Sequence, residues 1–185
     1  MFDNSKMPEL IEDDIIELHA RINHKFDAEL WAEIDKNRHF LRQYLLWVDK
    51  TNSIDDCTSA TDMFTNLWQS NENYAYSIVL KATGKAIGSI DIHNIDCKNN
   101  SADIGYWLAE EYNGQGLVSR AVKLIEKEAF SRGIHRLVIA VQEGNTPSSR
   151  VAERNNYIYE GLLKDALYKY GTYYNEKIFA KINKE

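Results

Sequence analysis

A chain of 185 residues with 44% hydrophobic, 27% charged and 11% aromatic residues is long and apolar enough to fold around one hydrophobic core. This composition excludes an intrinsically disordered protein, and we expect a single domain over residues 1–185 with a loose leader at residues 1–8. The formal net charge of -6 argues against direct nucleic-acid binding, which needs clustered basic residues, and suits a cationic substrate better.

The first half of the chain predicts one strand and three helices. Alternating residues favour a strand over 15–21, and the apolar face of residues 27–48, interrupted near Asn37, predicts two short helices. Serine and aspartate at residues 53–56 can cap free amides, so a third helix should run from there to about Gln69.

The middle of the chain predicts an antiparallel meander. Two strands, 74–81 and 85–93, flank a turn that ends in Gly84, which is typical of a hairpin. A polar turn at residues 96–100 then leads into a third strand over 101–108. We expect the sheet to be antiparallel up to this point.

The remaining elements predict a parallel crossover. Apolar residues at intervals of three and four favour a helix from Val118 to Gly133, followed by a buried strand over 136–141. Thr146, as a cap before a first-turn proline, should open a short helix, and strands over 157–163 and 173–182 complete the sheet. The predicted fold class is α/β (α+β), with a mixed, mostly antiparallel sheet of about seven strands.

The cysteines, histidines and hydrophobic runs give mostly negative expectations. Cys57 and Cys97 are far apart and are expected to be reduced thiols, and the five histidines lack metal-ligand spacing, so no metal is predicted. No segment has the length of a signal peptide core or the ~20 apolar residues of a membrane span, so we expect a cytoplasmic protein with no membrane contact.

A glycine turn joins the third meander strand to the following helix. Residues 114–119, Gly-Gln-Gly-Leu-Val-Ser, would present bare helix amides to an anion, which makes a phosphate-bearing ligand the first hypothesis. The turn is not a dinucleotide motif, because Ser119 stands where a third glycine is required, and it lacks the lysine of a P-loop. Taken alone, such a glycine pair is more often a sterically required turn.

Further motifs accompany this turn. They are Gly-Tyr-Trp-Leu at 105–108, residues 112–119, Asn-Thr-Pro-Ser at 145–148 and residues 151–155. Together these segments resemble the GCN5-related N-acetyltransferases, and within them the RimL type of the RimJ/RimL branch of ribosomal-protein N-terminal acetyltransferases. The resemblance covers nearly the whole chain, from residues 17–20 through the early helices to the closing strands.

The resemblance implies the acyl-CoA N-acyltransferase (GNAT) fold, with helices on both sheet faces and acetyl-CoA as cosubstrate. In that fold the strand ending at Leu108 splays from the strand ending near Gln142, and pantetheine lies in the gap as a surrogate strand. Asn113 and Val118 depart from the family's glycine motif, but the anion is held by main-chain amides. The implied cofactor-binding residues are Trp107, Leu108, Ala109, Gly114, Gln115, Gly116, Leu117, Val118, Ser119, Asn145 and Arg154.

The amides of Gln115 to Ser119 are expected to hold the pyrophosphate, and the main-chain groups of Trp107 to Ala109 to pair with pantetheine. Core packing and a place in the pocket wall remain equally open for the Trp107 side chain. The early helices, around Phe26 to Trp47, would wall the acceptor site.

The implied reaction is direct attack of an amine on the acetyl thioester, without a covalent enzyme intermediate. Ser148 would donate a hydrogen bond or proton to the leaving sulfur and Asn145 would bind the cofactor; the alternative is that both only cap a helix. The branch carries a glutamate base where this chain has Leu167. Local substitutes for the base are Asp103, Glu143, Glu160, Asp165 and Tyr168.

The missing base bears on the acceptor. Neutralising an α-amine at pH 7 costs only ~1 kcal/mol, whereas a lysine or polyamine amine costs over ~4 kcal/mol. We therefore favour the N-terminus of a ribosomal protein over a small amine such as a polyamine or aminoglycoside. A non-catalytic acyl-CoA-binding module is the alternative from another class. Relatives commonly pair, which implies a homodimer or higher homo-oligomer.

Overall fold

The computed structural model describes residues 7–184, which form one eight-stranded mixed sheet with helices on both faces. The strands lie in the order β1-β2-β3-β4-β5-β6-β8-β7, and every neighbouring pair is antiparallel except β5 and β6. In chain order the strands are Leu10–Glu12, Ile16–Ala20, Tyr74–Leu80, Lys85–Asp96, Ser101–Leu108, Arg136–Gln142, Ile158–Lys169 and Thr172–Ile182. The predicted mixed, mostly antiparallel sheet is confirmed.

The helices are α1 (Asp27–Lys36), α2 (Arg38–Leu41), α3 (Ile54–Gln69), α4 (Leu117–Ser131) and α5 (Thr146–Arg154), with 3₁₀ turns at Leu46–Lys50 and Glu110–Tyr112. The predicted break near Asn37 is confirmed, although α2 has only four residues. Ser53 caps α3 through a capping box with Asp56, as the residue types at this position predict.

The main differences from the sequence-based prediction concern β1, β7 and the cap of α5, and β4 also ends at Asp96 rather than at residue 93. Strand β1 was not predicted, because its three residues are too few for a periodic pattern. Strand β7 extends six residues beyond Leu163, because it pairs with β8 as far as Lys169. The cap of α5 is Asn145 rather than Thr146, since the Asn145 side chain accepts from the Ser148 amide.

The expected leader lies mostly outside the described residues, which begin at Met7. Met7 itself is only 4% exposed and belongs to the core, and the Pro8 carbonyl accepts a hydrogen bond from the Tyr76 hydroxyl at 2.8 Å. The end of the predicted leader is therefore fixed against β3.

The core has one layer on each face of the sheet. On one face, alternate residues of β3, β4 and β5 such as Ile78, Ile90 and Ile104 pack with the apolar stripe of α4. On the other face, Val79 and Trp107 pack with side chains of α1 and α3. Period-2 alternation in the strands thus separates two layers, and the second one surrounds the cavities described below.

The central strands separate as the fold class predicts. β5 and β6 pair only over Ser101–Asp103 and Arg136–Val138, whereas β6 pairs with β8 along its whole length. The carboxyl-terminal halves of β5 and β6 therefore diverge and leave a gap in the sheet. Unpaired main-chain groups at such a gap need a partner, so it is a natural ligand position.

In the described part of the chain, no helix is both long and apolar enough to cross a membrane. Cys57 is buried and Cys97 is exposed, and both are free thiols, as predicted. Among residues 7–184 no cluster of three or more histidine, cysteine or carboxylate side chains could hold a metal ion.

Candidate active site

The amino-terminal end of α4 has main-chain geometry that suits an anion. Gly114 and Gly116 both have positive φ, of 79° and 77°, and Gly116 caps the helix without any side-chain hydrogen bond. The first amides of a helix have no hydrogen-bond partner within the helix. The first turn of α4 carries no acidic side chain that would offset the partial positive charge of this helix end. The turn therefore offers main-chain donors and a positive helix end to a ligand.

Ser119 adds a side-chain donor to this end of α4. Its Oγ is buried and has no hydrogen-bond partner among the described residues. A buried hydroxyl without a partner is costly, and a phosphate oxygen would supply the missing acceptor. The residues of this turn thus fit the pyrophosphate of coenzyme A.

A first cavity of about 180 Å³ lies between the end of β5 and the amino-terminal end of α5, at the end of the sheet where β5 and β6 no longer pair. Five residues expected to contact the cofactor line it: Trp107, Leu108, Val118, Asn145 and Ser148. The opposite wall comes from α2 and the loop after it, through Phe40, Leu41, Gln43, Tyr44 and Leu45. This loop is tied to the β7–β8 hairpin, because buried Lys169 donates from Nζ to the Gln43 carbonyl at 2.8 Å.

Gly114 to Leu117 and Ser119 belong to the turn at the start of α4 and do not line this cavity, and neither do Ala109 and Arg154. The Ala109 amide already donates to the Ile87 carbonyl at 2.9 Å, so it is not free for pantetheine, contrary to expectation. Because main-chain groups alternate along a strand, those of Tyr106 and Leu108 face the gap instead. Arg154 is exposed at the last turn of α5 and does not line the cavity.

Ser148 is paired with Tyr106. The two hydroxyl oxygens are 2.8 Å apart, and the Tyr106 hydroxyl also lies 3.3 Å from the Ser148 carbonyl. Capping belongs to Asn145, whose Oδ1 accepts from the Ser148 amide at 3.2 Å, so the Ser148 hydroxyl takes no part in it. The expected contacts of Asn145 with the cofactor and of Ser148 with the leaving sulfur stay predictions, and both residues line the first cavity.

Tyr106 remains protonated at neutral pH. Desolvation raises the pKa of Tyr106 to about 12, although the hydrogen bond with Ser148 lowers it in part. A neutral phenol can donate to the Ser148 oxygen, which leaves the serine proton free for a ligand in the cavity. The pair can thus deliver a hydrogen bond or a proton to a departing sulfur.

A second cavity of about 400 Å³ lies on the face of the sheet covered by α1 and α3. It shares Leu45, Tyr106 and Trp107 with the first cavity, so the two meet at these residues. Trp107 is 9% exposed and packs against Trp47 with ring centroids 5.8 Å apart, so it is both a core residue and a cavity wall. The volume of the second cavity lies within the range of small-ligand sites.

The second cavity contains charged residues that sequence reasoning missed. Its apolar walls enclose Arg21, Asp91 and His93. The available signal was the alternation in β4, where Ser89, Asp91 and His93 occupy every second position although the strand is mostly buried. A polar stripe on the inner face of a buried strand is unusual unless it serves a site.

The expected substitutes for the missing base lie elsewhere. Glu160 forms an ion pair with Arg136, with an Nη1–Oε1 distance of 2.8 Å, and Glu143 accepts from Asn175 at 2.8 Å. Leu167 pairs with Tyr174 in the outer hairpin and does not reach either cavity. Nor is either cavity lined by any of the proposed substitutes Asp103, Glu143, Glu160, Asp165 and Tyr168.

Comparison with known proteins agrees with this geometry. The model of the acetyltransferase (GNAT) domain family matches residues 20–157. The chain is 33% identical over 168 residues to the ribosomal-protein-serine acetyltransferase of Escherichia coli (strain K12), covering 90% of this chain and 92% of that protein.

Two solved structures have the same fold and carry a coenzyme A ligand. RimL, the ribosomal L7/L12 alpha-N-protein acetyltransferase, in complex with coenzyme A, has a TM-score of 0.89 at 30% identity, covering 94% of this chain and 98% of that one. The microcin C7 self-immunity acetyltransferase MccE, in complex with acetyl-CoA and AMP, has a TM-score of 0.88 at 28% identity, covering 92% and 94%. The chain therefore belongs to the GNAT acetyltransferase family and is an acetyl-CoA-dependent N-acetyltransferase.

Proposed function

We propose that the protein acetylates the N-terminal α-amine of a protein, and that a ribosomal protein is its acceptor. The observation that carries this proposal is the charge inside the second cavity: one carboxylate, Asp91, one histidine, His93, and one guanidinium, Arg21. A single carboxylate suits an acceptor with one positive charge at the reacting end. The relative from Escherichia coli, by its name, acts on a ribosomal protein.

The donor would lie in the first cavity. Acetyl-CoA supplies the acetyl group as an activated thioester. The amides of Gly116 to Ser119 and the Ser119 hydroxyl would bind the pyrophosphate, and the main-chain groups of Tyr106 and Leu108 would pair with the pantetheine amides. This arrangement aims the thioester at the point where the two cavities meet.

Ser148 would act on the leaving group. A neutral amine entering from the second cavity attacks the acetyl carbon, and the Ser148 hydroxyl donates to the sulfur as the C–S bond breaks. Tyr106, 2.8 Å behind it, supports the serine as a donor. Holding both reactants in adjoining cavities supplies the proximity on which such a direct transfer depends.

Acetylation of a small polycation is the second candidate, and the net charge of -6 favours it. The lining of the second cavity opposes it, because a polyamine or an aminoglycoside would bring several positive charges next to buried Arg21. Like charges at short range in a poorly hydrated site repel strongly.

The test compares three acceptors at pH 7 by release of free coenzyme A thiol: a serine-starting ribosomal N-terminal peptide, the same peptide with a blocked α-amine, and spermidine. We expect turnover with the first and at least ~100-fold lower kcat/KM with the other two, because neutralising their remaining amines costs over ~3 kcal/mol more. Turnover with spermidine alone would refute the peptide acceptor. Tight acetyl-CoA binding without any turnover would instead indicate a binding module.

A further inference from the structure

Asp91 and His93 form a pair on the inner face of β4. His93 Nδ1 lies 3.1 Å from Asp91 Oδ2, within ion-pair distance although the angle falls short of a hydrogen bond. The same Asp91 oxygen accepts from Asn73 Nδ2 at 2.8 Å, which fixes the carboxylate. With Nδ1 turned to Asp91, Nε2 is the ring nitrogen left for a ligand, and no described residue bonds to it.

The neighbouring strand leaves room for this pair. Gly105 of β5 lies opposite Asp91. A Cβ added at Gly105 would stand 2.8 Å from Asp91 Oδ1 and 3.2 Å from His93 Cε1. The pair therefore occupies the space that a side chain at this position would enter, and Gly105 is not among the glycines with positive φ.

Arg21 gives independent evidence that the second cavity binds a polar ligand. Its side chain is 7% exposed, and its Nε has no hydrogen-bond partner among the described residues. The other end of the guanidinium is held, since Nη2 donates to Thr61 Oγ1 at 2.9 Å. A buried donor left without an acceptor at a cavity wall is matched by a ligand carbonyl.

We propose that the second cavity is the acceptor site for an α-amino acyl group, where His93, held by Asp91, takes a proton from the α-ammonium group. Arg21 Nε would receive the carbonyl of the same residue. This inference rests on the proposed function for the chemical class of the acceptor. The family's glutamate base is replaced by Leu167 in the outer β7–β8 hairpin, and this proposal assigns the role of the base to His93 in the second cavity.

The proton balance is complete without a further reactant. The α-ammonium group gives one proton to His93 Nε2, and its nitrogen then bonds to the acetyl carbon as the C–S bond breaks. The surplus proton on the new amide nitrogen passes to the sulfur through the Ser148 hydroxyl. The side chain of His93 is 36% exposed, so it can return its proton to water. The net products are an acetamide, a free thiol and one proton.

The charges around His93 suit this role. Desolvation alone would lower the pKa of His93, but the contact with Asp91 and the charges of Asp91 and Asp103 outweigh it and raise the pKa above its usual value. The other ionisable groups of the cavity are Arg21, the Cys57 thiol and the Tyr106 phenol, and burial raises the pKa of both Cys57 and Tyr106. A base with a pKa near that of the amine is efficient.

The test is the variant His93→Gln, and the matched control is His135→Gln. His135 is exposed and does not line either cavity. The acceptor is whichever amine the wild type acetylates. We expect kcat/KM to fall about 100-fold or more in His93→Gln and to stay unchanged in His135→Gln. The wild-type rise of kcat/KM with pH through the raised His93 pKa should disappear in His93→Gln, leaving only the titration of the amine.

Asp91→Asn separates this role from a structural one. Without the carboxylate the pKa of His93 falls, so the rise of kcat/KM should move to lower pH, which a packing defect would not cause. An unchanged pH profile in both variants would overturn the proposal.

A readout without turnover separates this proposal from the peptide assignment. In the presence of coenzyme A, a serine-starting peptide should perturb the His93 ring signals in NMR spectra. Peptide binding that leaves these signals unchanged would also overturn the proposal. If only spermidine is acetylated, the peptide acceptor fails, while the pH profiles measured with spermidine still decide the role of His93.

Discussion

Replacing Ser148 by alanine is expected to lower the rate of acetyl transfer about 100-fold or more at saturating substrates. The Ser148 hydroxyl lies 2.8 Å from Tyr106 Oη, and Ser148 lines the first cavity, where the hydroxyl would meet the departing sulfur. Because it makes no capping bond, its loss should not unfold α5. Single-turnover quench measurements with acetyl-CoA and peptide give the rate of the chemical step directly.

The matched control is Ser149→Ala. Ser149 is buried on the same helix, donates to the Asn145 carbonyl at 3.3 Å and does not line either cavity. We expect this variant to keep the chemical rate, and Tyr106→Phe to lose less than Ser148→Ala because the serine hydroxyl remains. Equal rates for Ser148→Ala and the wild type would remove Ser148 from the mechanism.

Val118→Asp is expected to weaken acetyl-CoA binding about 100-fold or more. Val118 lies in the first turn of α4 and lines the first cavity, so an aspartate there would face the proposed pyrophosphate site. Two unit charges about 4 Å apart repel by about 4 kcal/mol at an effective dielectric constant of 20, which corresponds to roughly 1000-fold in affinity. Isothermal titration with acetyl-CoA measures the change.

The neutral variant Val118→Asn isolates the effect of charge, because an asparagine side chain has nearly the same shape as an aspartate side chain. It should lose less than ~10-fold in affinity. In the ligand-free protein the aspartate should be the more stable of the two by about 0.3–1 kcal/mol, because it complements the positive end of the helix. Equal affinities for the two variants would show that the pyrophosphate binds elsewhere.

The sequence was most informative where the physics is local. Period-2 alternation and helical spacing located nearly all the strands and helices, because each pattern repeats within one element. Gly114 and Gly116 marked the turn before α4 for the same reason, and their positive φ values explain why glycine stands there. The family resemblance then predicted that this turn binds the pyrophosphate of coenzyme A.

The residues around the second cavity could not be predicted from local sequence patterns. Asp91 and Gly105 lie on different strands, and only the register of β4 against β5 places them opposite each other. Arg21, at the end of β2, reaches the same cavity after the intervening helices have folded over the sheet. Conversely, Glu160 was a reasonable base by sequence position, but Arg136 already holds it in an ion pair. Such partners are decided by tertiary packing.

The crystal structure of the protein with coenzyme A and an acceptor peptide tests the central claim most directly. We predict the pyrophosphate at the amides of Gly116 to Ser119, the pantetheine beside Tyr106 and Leu108, and the sulfur within hydrogen-bond distance of Ser148 Oγ. The peptide α-amine should lie in the second cavity next to His93. A peptide bound along the outer β7–β8 hairpin, or a sulfur remote from the junction of the two cavities, would contradict the account.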